Sequence, residues 1–146
     1  MASAVSQRIQ QFIRSIPEDI KLYQQLIPLL QQQKTLYLKF DGEALSNNVQ
    51  KQMPILNKLS RSASDRSQCM RELGGLACND ASVKRIFNAL PAQIGMQARK
   101  QWALLETLVS QCQQYNQSNG HSSAAFHELV SQLKQPVQHT YEDKSF

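Results

Sequence analysis

A chain of 146 residues with five glycines, five prolines and 7% aromatic residues is long enough for one domain and too poor in turn residues for an all-β fold. Twenty-one glutamines suit long solvated helix faces, since Gln loses little rotamer freedom in a helix. The net charge of +5 raises the question of an acidic partner. The cations are scattered, however, with Arg61, Arg66 and Arg71 and the pairs Lys84-Arg85 and Arg99-Lys100 as their densest groupings. No Lys/Arg run with interleaved aromatics marks a nucleic-acid groove, and solvated helix faces are the simpler reading. Residues 1–11 lack the apolar core of a signal peptide, and no stretch approaches the roughly 20 apolar residues of a membrane span. A cytoplasmic protein without stable membrane insertion is therefore expected, and Cys69, Cys78 and Cys112 are expected to stay reduced.

In chain order, Ile9, Phe12, Ile13 and Ile16 share one helical face and predict a short N-terminal helix. Ser15-Ile16-Pro17-Glu18 then has the form of a capping box, predicting a new helix that carries Ile20, Tyr23, Leu26, Ile27, Leu30 and Tyr37 inward and runs to about Phe40, kinked at Pro28. Asp41-Gly42 interrupts the pattern, and Asp41 is placed to cap the next helix. That helix has a 3-4 stepped stripe of Leu45, Val49, Gln52, Leu56, Leu59, Ala63, Arg66, Met70 and Leu73. Such spacing is that of a coiled-coil-like seam, with a bend at Pro54 and an end at Gly74-Gly75.

Residues 76–91 read as a crossover with room for one short helix over 82–90. From Ala92 to about Lys134 the stepping returns through Ala98, Trp102, Leu105, Val109, Cys112, Asn116, Asn119, Ser123, Phe126, Val130 and Leu133. Unbroken, that helix would be about 64 Å long. Its stripe is apolar at both ends and polar at Asn116, Asn119 and Gly120, which either set the register of a seam or mark the hand-over between two functional halves. Phe126, Leu129, Val130 and Leu133 form a separate apolar face, and past Pro136 a polar tail is expected to be flexible. The fold class predicted is thus all-α: three long antiparallel helices in a coiled-coil-like bundle, a short N-terminal helix and a C-terminal tail. One helical domain spans 1–134, with 122–134 as a binding segment and 135–146 as the tail.

Catalytic and metal-binding signals are missing from the sequence. His121 and His127 are six residues apart and off the shared i, i+4 face of helical zinc sites, His139 is isolated, and the cysteines lack CxxC spacing. No phosphate loop, nucleophile elbow or paired carboxylates occur; Glu18-Asp19 fits a helix start and Glu142-Asp143 a solvated tail. A non-enzymatic protein with no cofactor and no metal is expected.

The order of these features resembles a known family. Leu26-Ile27-Pro28-Leu29-Leu30 in the first long helix is followed by the break at Asp41. Lys51, Ile55-Leu56, Leu59, Arg66 and Leu73-Gly74 follow in the second, and Leu105, Leu108, Tyr115-Asn116 and Asn119-Gly120 in the last. Over roughly residues 20–140 this is similar to the FlgN family of flagellar export chaperones. The resemblance implies that the end of the last helix binds the amphipathic C-terminal helices of hook-associated proteins and delivers these clients to the flagellar type III export gate. Phe126, Leu129, Val130 and Leu133 are then the client-binding residues, and Tyr141, in Thr140-Tyr141 after Pro136, resembles a tail tyrosine presented to the gate. An exposed apolar helical face is also what helix-to-helix recognition requires, with self-association of the chain left open. The alternative is a small basic helical domain that binds nucleic acid or serves as a structural adaptor. Charge-driven binding would weaken steeply with salt, whereas apolar binding would not.

Overall fold

The computed structural model describes residues 3–119 of the chain, and all regular structure among them is helical: α1 (Ala4–Leu38), α2 (Gly42–Glu72), α3 (Asp80–Asn88) and α4 (Ala92–Asn119). The separate N-terminal helix expected from the sequence does not exist. Its residues are the first turns of α1, capped by Ser3, whose side chain accepts from the Ser6 N–H at 3.1 Å. Ser15 is no cap: its hydroxyl donates to the Phe12 carbonyl at 2.6 Å, and the helix runs on through Pro17 and Pro28. The reason lies in tertiary burial. Phe12 and Ile16 before the break and Ile20 and Tyr23 after it are all buried on one continuous stripe, which outweighs the ~3 kcal/mol intrinsic penalty of an interior proline. Tyr37, expected inward, is instead exposed.

The other boundaries follow the sequence closely. Asp41 accepts from the Ala44 N–H at 3.2 Å and caps α2. Its far end closes where Gly74 and Gly75 take φ values of 115° and 75°, and their turn delivers the Gly75 and Leu76 N–H groups to the Arg71 and Met70 carbonyls. Asn79 caps α3 by accepting from the Ser82 N–H at 2.9 Å. Gly95 allows α4 to start against α3, since a Cβ there would lie 2.5 Å from the Phe87 carbonyl oxygen.

Packing centres on α1. Arg8 pairs with Glu72, Asp19 with Arg66, and Gln33 with Gln52, so α2 returns antiparallel along α1. Phe12 meets Trp102 and Gln31 meets Tyr115, so α4 runs in the direction of α1 along its other flank, with α3 against α4. Of the predicted α2 stripe, Leu59, Ala63 and Met70 are fully buried while Leu56 and Leu73 are half-buried at its margin. The α4 stripe from Ala98 through Trp102, Leu105, Val109 and Cys112 is buried throughout.

Candidate functional site

The core changes character along its length. At the end formed by the start of α1, Phe12, Phe87 and Trp102 pack ring against ring at 6.0–6.3 Å between centroids, two of the three pairs edge to face. The Trp102 indole N–H donates to Asp80 at 3.2 Å, and Asp80 also pairs with Lys84 at 3.1 Å. Midway, Arg66 enters the core and donates to Asp19 at 2.7 Å, Ser62 at 3.0 Å and Ser15 at 3.2 Å, its guanidinium 6.0 Å from the Trp102 ring centre. Burial pushes the Asp19 carboxyl above its ordinary range, against the pull of Arg66.

Beyond that pair the α1–α2 interface turns to amides. The buried Gln52 side chain donates to Gln33 at 2.8 Å and to Asn48 at 2.7 Å, and Asn48 donates to Gln32 and to the Leu29 carbonyl, both at 2.9 Å. On the α4 side the apolar stripe gives way after Cys112 to Asn116, which is buried, while the Tyr115 hydroxyl accepts from Gln31 at 2.8 Å. α4 is described as far as Asn119. Asn116 therefore occupies the seam position that its spacing predicted. Gly120, the proposed client-binding residues Phe126, Leu129, Val130 and Leu133, and Tyr141 lie outside the described residues, as do all three histidines.

The described surface offers little to the chemistry of the alternative reading. The grouping of Arg61, Arg66 and Arg71 is not a patch: Arg66 is buried, Arg71 donates to Gln68 at 2.7 Å, and Arg61 faces a groove between α1 and α2. In that groove, about 630 Å³, Arg8 is paired with Glu72 and Arg66 with Asp19, and Arg14, Lys58 and Arg61 stand among Glu18 and Asp65, so its cations are interspersed with carboxylates. Among the described residues no group of three His, Cys, Asp or Glu side chains could hold a metal ion. Burial pushes the Cys112 thiol up to about 12, which keeps it protonated and unreactive; the Cys69 thiol is also raised by burial and donates to the Arg8 carbonyl at 3.2 Å.

Sequence reasoning missed two polar features. Asp19 read as a helix-start residue and is the partner of a buried arginine; Arg66, the one charged residue on the α2 stripe, was the available signal, because an inward guanidinium demands a carboxylate. Asn48, Gln33 and Gln32 form a network that composition alone does not single out. No helix among the described residues is long and apolar enough to cross a membrane. Neither curated proteins nor solved structures give a match. The family comparison does: "FlgN protein" matches residues 1–144. The all-helical fold, the seam that turns polar at Asn116 and this match over nearly the whole sequence agree, and the chain belongs to the FlgN family of flagellar export chaperones.

Proposed function

We propose that the protein is a non-enzymatic cytoplasmic chaperone that binds the amphipathic C-terminal helices of hook-associated proteins, prevents their premature assembly and delivers them to the flagellar type III export apparatus. Three long helices act as one coiled-coil-like bundle within a domain over 1–134, and the segment 122–134 engages the client through Phe126, Leu129, Val130 and Leu133. Residues 135–146 then form the tail, with Tyr141 docking at the export gate. The observation that carries this reading is the change along α4. Its stripe is buried and apolar to Cys112 and turns polar at Asn116, while the sequence becomes apolar again at Phe126. A second apolar stripe separated from the first by Asn116, Asn119 and Gly120 suits an external helix rather than the protein's own core.

The test is substitution on that stripe. Phe126→Asp and Leu133→Asp should each weaken capture of hook-associated subunits by about 2 kcal/mol or more and leave the melting temperature nearly unchanged, as expected of apolar anchors outside the core. Binding should persist when salt is raised, since apolar burial is not screened. Parental affinity in the double variant would remove these residues from the site.

A further inference from the structure

The two partners of α1 are seated on it in different ways. Toward α2, polar groups are matched from one end of the interface to the other: Arg8 with Glu72, Asp19 with Arg66, Gln33 with Gln52, and both Gln32 and the Leu29 carbonyl with Asn48. Matched groups in a dry interface hold one arrangement, because parting them leaves both members of each pair short of a partner. Toward α4, the one hydrogen bond among the described residues is that of Gln31 to Tyr115, at the exposed rim. The seam beneath it is built from apolar side chains and rings.

One polar atom lies inside that seam. The Tyr23 side chain is 1% exposed, and its hydroxyl is sealed from solvent with no hydrogen-bond partner among the described residues. Burial first, and Cys112 of α4 beside it second, push the Tyr23 pKa well above its ordinary value, so the O–H remains a donor without an acceptor. A phenylalanine would fill the same space without that loss. The closed bundle therefore works against the Tyr23 hydroxyl, and any opening that admits water to it recovers the missing hydrogen bond.

α3 goes with α4 rather than with α1. Trp102 donates to Asp80, Arg99 donates to Asn88, and Gly95 seats the Phe87 carbonyl against α4. The chain enters this pair through Gly74 and Gly75, where a Cβ at either position would meet nothing within 4 Å, so the turn has open space around it. We infer that α3 and α4 form one flap that pivots at Gly74-Gly75 and lifts reversibly from a persistent α1–α2 hairpin, the buried hydroxyl of Tyr23 setting how often it opens. In the open state the apolar faces of α1 and α4 are bared together, while the Asp19–Arg66 pair and the amides between α1 and α2 stay matched.

Cys112 reports the opening, since it is 0% exposed in the closed bundle. The full chain is treated with a small maleimide at increasing urea below the unfolding transition, modification of Cys112 is followed by peptide mass spectrometry, and amide exchange is measured in parallel. Cys112 should react through an opening whose urea dependence is well below that of complete unfolding, because the lifted flap exposes only part of the surface. Amides around Leu105 and Val109 should be about tenfold or more less protected than those around Leu59 and Ala63. Tyr23→Phe should keep the parental helix content and slow modification of Cys112 about fivefold or more, having no unpaired hydroxyl to release. A urea dependence as steep as that of unfolding, with equal protection in α2 and α4, would overturn the flap. Tyr23→Phe reacting as fast as the parent or faster would mean that the hydroxyl is satisfied in the closed bundle, and would overturn the inference as well.

Discussion

Arg66 and Asp19 place a full charge pair in the α1–α2 interface, between its aromatic end and its buried amides, with both side chains only 1% exposed. Such a pair is held by geometry more than by net energy, since desolvation offsets much of the attraction. Burial raises the Asp19 pKa above its unfolded value, so the folded state keeps the proton to higher pH than the unfolded chain does. The stability linked to that proton is complete below pH of about 4 and is lost as pH rises through the folded pKa. Denaturant midpoints of the parent and Asp19→Asn, followed from pH 4 upward, should therefore show the parent losing ground to the variant. A parental advantage that grows with pH would contradict this sign. The apolar positions behave more simply. Leu105 is 0% exposed and Leu105→Ala should cost about 2–5 kcal/mol, whereas half-buried Leu56→Ala should cost less, about 1–2 kcal/mol. Equal losses in urea unfolding would mean that the two sites are packed alike. Leu105 was legible in the sequence because Trp102, Leu108 and Val109 stand at three- and four-residue spacing from it on one apolar face. Asp19 was not, because a carboxylate near a proline fits a helix start equally well and its partner lies 47 residues away.

The helices themselves were legible where punctuation and loss of pattern coincide. Asp41 and Gly74-Gly75 end one stripe and open another, and both boundaries stand as read. At Ser15-Ile16-Pro17-Glu18 the punctuation was present but the stripe did not break: Phe12, Ile16, Ile20, Tyr23, Leu26 and Leu30 continue at helical spacing across it and are all buried. A capping signal is worth about 1 kcal/mol, less than the burial of even one of those side chains, so the stripe prevails over the local signal. One consequence can be measured. Pro17→Ala restores a main-chain donor inside a continuous helix and should raise stability by about 1 kcal/mol or more in thermal or urea unfolding. A helix that began at Pro17 would instead lose stability with its N1 proline.

For the whole molecule, the all-helical class and the family were legible, and so was the polar interruption at Asn116; the client-binding residues proposed past it lie outside the described residues and rest on the sequence pattern and the family resemblance. On the proposed function, capture and delivery are separate tasks on separate stretches of chain. Tyr141→Ala should leave capture of hook-associated subunits intact and reduce swarming, since a tethered ring can enter an apolar pocket at the gate while its hydroxyl keeps a hydrogen bond. Normal motility with normal capture would leave Tyr141 without a role. The lengthwise gradient of the core, three aromatic rings at one end and a ladder of amides at the other, also has a mechanical meaning. Amide contacts exchange readily with water, while packed rings do not, so the two ends resist tension unequally. On the proposed function, traction on a client held past Asn119 would enter α4 at its amide end, where Tyr115 and Gln31 would be the first polar link to be loaded. Peeling would begin there and meet its main resistance at Trp102, leaving the α1–α2 hairpin intact and able to close again on α4 once the load is gone.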